Sequence, residues 1–306
     1  MKKFLNIDFN SQDLRIDKWL KINFSSLNQN FIEKNLRKGN IKANNKKVSS
    51  KYKLKFKDEI VIFNYSPDVY RHQPKHLSIK VIPSKYNELF ESNILYENNN
   101  FIILDKWTGI ATQGGSKINV SIDHIVKNIS ENYNLVHRLD RETSGLLIIT
   151  KNSQTTKYFG KLFKEHLIYK VYIAICQGNP KNSESEINLS IFDKNNQNKK
   201  SNSITRYKVL QTNNKLSNIF FLPKTGKTHQ IRIVAKHLGC PIVGDTKYNK
   251  QNKYNFEKLK LNAHFLKFSF NNDDYKFTSK LPNHFNDFFK KNDLKKLNIK
   301  NIKYFL

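Results

Sequence analysis

The stretch His137-Arg138-Leu139-Asp140-Arg141-Glu142-Thr143-Ser144-Gly145-Leu146-Leu147 sets a carboxylate between two arginines and runs straight into the apolar segment Leu146-Leu147-Ile148-Ile149-Thr150. Cations close to an aspartate favour its charged form, so the flanking Arg138 and Arg141 are expected to keep Asp140 ionised. Ser144-Gly145 reads as a tight polar turn before a strand. An ionised acid at the mouth of a buried strand is a candidate nucleophile or base. The competing reading is an ordinary turn aspartate that caps or faces solvent.

The chain around that stretch has 306 residues, 38% of them hydrophobic, enough for one large domain and one small one. Lysine and arginine total 54 against 25 acidic residues, a net charge of +29 that points to a polyanion partner. Nucleic acid comes first and an anionic membrane surface second. No apolar run reaches the roughly 18–20 residues of a spanning helix, and Met1-Lys2-Lys3-Phe4 is not followed by a signal-peptide core. The expectation is a soluble, cytoplasmic protein. The two cysteines, Cys176 and Cys240, lack zinc or redox spacing and read as packing residues.

Toward the N-terminus, Ile16, Trp19 and Leu20 share one helical face. A second helix is expected after Asn28, a good N-cap, with Ile32 and Leu36 inward and Lys38-Gly39 at its end. Ile41 to Val48 reads as two short extended pieces about an Asn44-Asn45 turn, with another strand near Ile60-Val61-Ile62. Residues 66–85, with Pro67, Pro74 and Pro83, read as a linker. Beyond it, Phe101–Leu104, Tyr169–Cys176, Ile219–Leu222 and Phe265–Phe270 are expected strands. Phe159, Leu162, Phe163 and His166 form a helical stripe, and so do Phe285, Phe288 and Phe289. Lys194 to Asn202 is a polar low-complexity tract, read as an exposed loop. The predicted class is α+β, with a mixed, mainly antiparallel sheet.

Four more segments accompany the Asp140 stretch: Ile102 to Ile110 with Gln113-Gly114-Gly115-Ser116; Lys170-Val171-Tyr172-Ile173-Ala174 with Gly178; Thr225-Gly226-Lys227-Thr228-His229-Gln230-Ile231-Arg232 continuing to Asp245; and Leu261-Asn262-Ala263-His264. In this order the five segments resemble the RluA-type pseudouridine synthases, and Gln113 to Ser116 points toward the RluC-like branch. Residues 1–65 resemble a small αL (S4-like) RNA-binding domain, through Arg15 to Leu20, Arg37 to Ile41, Asn44 to Val48 and Lys57-Asp58. The implied division is residues 1–65 for RNA binding, 66–85 as linker, 86–290 as catalytic domain and 291–306 as a basic tail.

The resemblance implies isomerisation of uridine to pseudouridine in RNA, with large-subunit ribosomal RNA as substrate, no cofactor or metal, and a monomer. By it Asp140 is the catalytic residue, Tyr172 an aromatic face and hydroxyl for the uracil, and Arg232 the cation that holds Asp140. Arg138 would contact RNA or fill the space the base leaves. Arg15, Lys18, Lys34, Arg37, Lys38, Lys42, Lys46 and Lys47 would track phosphates in the small domain, and Lys227 in the large one. Departures from the family pattern are Lys227 for arginine, Trp107 for proline and Asn262 for histidine. A non-catalytic RNA-binding or ribosome-assembly factor, a transfer-RNA substrate and a charge-driven membrane-surface protein are the alternatives. His137 and His229 lack a second cluster at metal-ligand spacing, and no Gly-x-Ser-x-Gly elbow surrounds Ser144.

Overall fold

The computed structural model describes residues 1–71, 82–115, 118–193, 196–213, 215–249, 254, 257–292 and 294. Half of the expected linker and most of the basic tail, together with Ser116, Lys194 and Asn195, lie outside the described residues. The chain forms two compact units, Met1–Val81 and Ile82–Leu306.

In the first unit, β1 (Lys3–Asn6), α1 (Ile16–Asn23), α2 (Gln29–Lys38), β2 (Ile41–Ala43) and β3 (Glu59–Ile62) make an antiparallel sheet of order β1-β3-β2 beside two helices. Ile16, Trp19, Leu20, Ile32 and Leu36 are its core, as their helical spacing requires. Asn28 accepts the Phe31 N–H at 2.8 Å, and Gly39 closes α2 at φ 80°, a left-handed value that favours glycine. The Asn44-Asn45 turn forms, both residues with positive φ. The second extended piece does not, because β2 takes β3 as its ladder partner and Lys46 makes only a bridge back to Ala43. Buried Asp58 pins that corner, accepting from Asn44 Nδ2, Tyr52 Oη and the Lys55 N–H at 2.7–2.9 Å.

The second unit begins with α3 (Ser84–Ser92), whose first turn falls inside the stretch expected to be linker. Then follow β4 (Ile94–Glu97), β5 (Phe101–Lys106), α4 (Ile122–Ile129), β6 (Asn134–Leu135), β7 (Ser144–Thr150), α5 (Ser153–Lys164), β8 (Tyr169–Gln177), β9 (Glu184–Asp193), β10 (Asn196–Thr212), β11 (Leu216–Pro223), α6 (Gln230–His237), β12 (Leu261–Phe270), β13 (Asp273–Thr278) and α7 (Asn283–Lys291). The α+β expectation holds: the strands form one sheet in the order β4-β5-β7-β12-β8-β11-β10-β9, with β13 added on β12 and β6 on β7. Every pairing among the described strands is antiparallel except β7 with β12.

Both faces of the central strands are covered, which is why β5 and β7 read as unbroken apolar runs. Ile102, Leu104, Leu147 and Ile149 pack with α3 and α4, while Phe101, Ile103, Leu146 and Ile148 pack with α5. Along β8 the same alternation gives Val171, Ile173 and Ile175 to α7, and Tyr172, Ala174 and Cys176 to the α6 side. The face that carries Tyr172 is thereby fixed. Cys176 and Cys240 are both fully buried in that second layer.

Two further sequence expectations change. Ser144 and Gly145 already belong to β7, and the turn lies earlier, closed by the Thr143 N–H on the Asp140 carbonyl at 3.1 Å. Gly145 is required for another reason: at φ 109°, a Cβ there would sit 2.3 Å from the Ala263 carbonyl oxygen, where β7 meets β12. The polar tract from Asn196 to Asn202 is strand, not loop, because β9 supplies a ladder from Asp193 back to Glu184 whatever side chains β10 carries.

Candidate active site

A cleft of about 370 Å³ opens in the second unit, lined by the loop before β7, by β8, and by the segment from Pro223 into α6. Among the described residues, Asp140 is its one lining acid. The loop that presents Asp140 is held from behind by the first motif. Thr112 Oγ1 donates to the Leu139 carbonyl at 2.6 Å and accepts the Leu139 N–H at 3.0 Å. Thr108 Oγ1 donates to the Glu142 carbonyl at 2.8 Å, and the Gly109 N–H to the Arg141 carbonyl at 3.0 Å. The fully buried Lys106 ammonium donates to the carbonyls of Trp107, Ile110 and Arg141 at 3.0–3.3 Å. Burial pushes this lysine down to about 7, against the opposing pull of the Glu142 and Asp140 charges.

Neither arginine beside Asp140 pairs with it. Arg138 is exposed, and Arg141 donates through Nε to the Gly109 carbonyl at 2.9 Å and faces Glu142 at 3.5 Å. The flanking-arginine expectation is therefore corrected: adjacent side chains in this turn point apart, and the cation that meets Asp140 is Arg232 of α6. Arg232 Nη1 stands 3.4 Å from Asp140 Oδ2, and His229 Nε2 stands 3.7 Å from Oδ1.

Arg232 is anchored more firmly on its other side. Its Nε and Nη2 reach the two oxygens of Asp245 at 2.7 Å each, a bidentate fork on a carboxylate that is 0% exposed. Burial alone would raise the Asp245 carboxyl, but Arg232 and the Lys247 and Tyr248 N–H groups hold it below the ordinary carboxylate range. Burial works against charge on Arg232 too, and Asp245 and Asp140 together keep it above its ordinary value. Its guanidinium carbon lies 5.2 Å from the ring centre of Tyr248, whose hydroxyl is 2.9 Å from His229 Nδ1.

His229 takes a left-handed backbone at φ 55° to enter α6. Gln230 fixes the preceding loop: its Oε1 accepts from Thr225 Oγ1 and the Lys227 N–H, and its Nε2 donates to the Ile204 carbonyl and Thr205 Oγ1, all within 2.8–3.0 Å. Tyr172 enters the cleft from β8. Burial, then the nearby Asp140 charge, push its phenol well above the ordinary tyrosine value, so it stays protonated at neutral pH. His137 is a packing group rather than a base, since its Nε2 accepts the Ile148 N–H at 2.9 Å and burial takes it down to about 3.

The cleft thus brings together Asp140, Tyr172, Arg232, Arg138 and Lys227 of the sequence-derived candidates. Arg15, Lys18, Lys34, Arg37, Lys38, Lys42, Lys46 and Lys47 belong to the first unit. All but the half-buried Lys42 are exposed; Arg15 is paired with Asp17 at 2.5 Å, and Lys42 lies over the Phe63 ring. Sequence reasoning assigned no role to Lys106, Asp245, Tyr248 or Lys170, and weighed His229 only as a metal or hydrolase residue. Lys170, His229 and Asp245 share the segments of Tyr172 and Arg232 and Lys106 lies in the first motif, which was the available signal, whereas Tyr248 lies outside all five segments. Among the described residues no group of three His, Cys, Asp or Glu side chains is placed to hold a metal, and no helix is long and apolar enough to cross a membrane.

Comparison with known proteins gives a consistent answer. Residues 100–237 match the model of the RNA pseudouridylate synthase family. A ribosomal large subunit pseudouridine synthase C from Rickettsia felis is 38% identical over 294 residues, covering 90% of this chain and 95% of that protein. The protein of the same name from Buchnera aphidicola is 35% identical, over 87% of this chain and 89% of its own length. The solved structure of human RNA pseudouridylate synthase domain containing 4 shares the fold, with a TM-score of 0.63 at 22% identity over 73% of this chain and all of that one. On the strength of its near full-length relatives, and with an aspartate, a tyrosine and an arginine gathered in one cleft, the chain belongs to the RNA pseudouridylate synthase family.

Proposed function

We propose that this enzyme isomerises uridines of large-subunit ribosomal RNA, as the names of its relatives describe for them, with Asp140 as catalytic group and Tyr172 and Arg232 as its companions. The observation that carries the reading is Asp140 itself: among the described residues it is the one acid lining the cleft, 20% exposed, its carboxylate met only at 3.4 and 3.7 Å. A structural carboxylate would be saturated at shorter range. Asp140 keeps lone pairs for a ligand.

The reaction breaks the C1′–N1 glycosidic bond, turns the uracil, and joins C5 to C1′. The proton lost from C5 balances the one gained at N1. The target base leaves its stack to reach the cleft. Asp140 attacks C1′ or assists departure of the uracil and removal of a ribose proton, and both routes need the carboxylate charged. Arg232, fixed by Asp245, orients Oδ2 and leaves Oδ1 toward the ligand. Tyr172 offers a ring face and a neutral hydroxyl. The first unit, with its exposed Lys18, Lys34, Arg37, Lys38, Lys46 and Lys47, grips RNA as an S4-like domain. The enzyme works as a cytoplasmic monomer without metal or organic cofactor.

The test is tritium release from C5-labelled uridine in large-subunit ribosomal RNA. Asp140→Asn is expected to cut release by at least about 10³-fold while salt-sensitive RNA binding survives. Equal release from both proteins would remove Asp140 from the reaction. Release from transfer RNA alone would move the substrate.

A further inference from the structure

Among the described lysines of the second unit, Lys106 and Lys260 are fully buried, and Lys170 on β8 is half-buried in the cleft wall. Burial pushes all three ammonium groups below the ordinary lysine value. The first two have acceptors in place. Lys106 has its three carbonyls, and Lys260 has Glu257 Oε2 at 2.7 Å and the Lys258 carbonyl at 3.2 Å.

Lys170 has neither. Among the described residues no carboxylate or carbonyl oxygen receives its ammonium, whose recorded neighbour is the ring of Phe163, with Nζ 5.6 Å from the centre. His137, stacked on the same ring at 4.8 Å, offers nothing, since its Nε2 is already taken by the Ile148 N–H. An ammonium half-withdrawn from water that meets no protein acceptor keeps its donors for water or a ligand.

The place of Lys170 says which ligand. It lines the cleft with Asp140 and Tyr172, together with Phe163 and His166. On β8 it is two residues from Tyr172, so both side chains leave the same face about 6.6 Å apart along the strand. A uracil held against Tyr172 beside Asp140 leaves Lys170, one strand repeat away, at the edge of the nucleoside, where the backbone passes. Of the cleft cations, Arg232 is committed to Asp245 and Asp140 and Arg138 is exposed, while the Lys170 and Lys227 ammonium groups meet no acceptor among the described residues, and of these two Lys170 is the one that shares a strand face with Tyr172.

We propose that Lys170 is an anion subsite of the cleft, and that its partner is a phosphodiester oxygen flanking the extruded uridine. This rests on the reading that the cleft takes a uridine of RNA. An ammonium suits phosphate as a point charge with three donors, and the Phe163 ring below it sheds water from the contact. The lysine then selects for a nucleotide within a chain over a free nucleoside or base.

The decisive experiment is a scan of single methylphosphonates across the target uridine and two nucleotides on either side, with dissociation constants measured for the wild type and for Lys170→Met. At one position the neutral linkage should weaken binding to the wild type by about tenfold and leave binding to Lys170→Met unchanged, because the partner is already gone. With unmodified RNA the variant should bind about tenfold more weakly, and its salt dependence should fall by about one phosphate, roughly 0.7–0.9 in log affinity per log salt. Lys170→Arg should recover most of the affinity. The melting temperature of Lys170→Met should be equal to or above that of the wild type, since the substitution removes an unsatisfied charge, which separates lost binding from lost folding. A scan in which no position couples to Lys170 overturns the proposal and hands the ammonium to a uracil carbonyl. The scan reads binding, so it is decided whether or not the RNA is turned over, while tritium release decides the proposed function separately.

Discussion

The polar groups that build the cleft and the polar groups that face it are treated in opposite ways. Behind the walls, Asp245 accepts four hydrogen bonds at 2.7–3.0 Å and Lys106 reaches three carbonyls, and Gln230, in the wall itself, makes four that tie down the loop before α6. In the cleft, Asp140 has one contact at 3.4 Å and another at 3.7 Å, and Lys170 has only a ring. The contrast is sharpest across Arg232, which grips one carboxylate at 2.7 Å and merely leans on the other. Saturation makes a scaffold, and incompleteness on that scaffold makes a site.

Breaking the saturated side should have the largest effect on the fold. Asp245→Asn leaves the Arg232 guanidinium, 11% exposed, with Asp140 as its one anionic partner. The expected cost is about 3 kcal/mol in stability, because a buried charge loses its counter-charge. Activity should fall with it, as Arg232 shifts toward Asp140 and takes up the oxygens the ligand needs. Urea denaturation and tritium release read the two losses. Normal stability with normal turnover would show that the fork to Asp245 is dispensable, and the division between scaffold and site would fail at its clearest point.

A second prediction concerns pH. Lys106 is held at about 7 when folded, against 10.5 for an ordinary lysine. Between those values the unfolded chain binds a proton that the folded chain does not, so this group makes stability rise with pH across the window. The contribution is least favourable below about pH 7, where both states are protonated and the folded one buries the charge. From pH 7 to 9 the increment amounts to about 2 kcal/mol. Lys106→Met removes the titration, so the difference in stability between wild type and variant should change over that window and be flat below it. A pH-independent difference would mean that the three carbonyls keep the ammonium fully charged.

Much of this architecture is legible in the sequence, for a physical reason. Apolar runs such as Phe101–Leu104 and Leu146–Ile149 need burial on both faces, and Asn28 and Gly39 are end signals whose chemistry is local. Asp140, Tyr172 and Arg232 were found through the motifs around them. The pairing of Asp140 with Arg232, 92 residues away, came only through the family resemblance, whereas the local reading chose the flanking arginines, which do not face the carboxylate in the turn. The strand from Asn196 was not legible, since backbone pairing with β9 does not depend on its Asn, Lys and Ser side chains. The burial of Lys106 and Lys170 arises from strands and helices brought from elsewhere in the chain.

The smallest expected effect lies at Tyr248, between scaffold and site. Its backbone N–H and ring belong to the saturated side, through Asp245 and Arg232, whereas its hydroxyl meets His229 Nδ1 at 2.9 Å. If that hydroxyl donates, Nδ1 is the acceptor and the imidazole proton sits on Nε2, facing Asp140 Oδ1. The carboxylate favours this tautomer. Tyr248→Phe keeps the ring under the guanidinium and removes only the hydroxyl, so stability should hold within about 1 kcal/mol. Turnover should fall about fivefold, the worth of one neutral hydrogen bond, as the imidazole loses its preferred tautomer. His229→Gln can present an N–H toward Asp140 without help from Tyr248, so adding Tyr248→Phe to it should cost nothing further. Additive losses in the double variant would show that Tyr248 acts on the cleft by another route and belongs wholly to the scaffold.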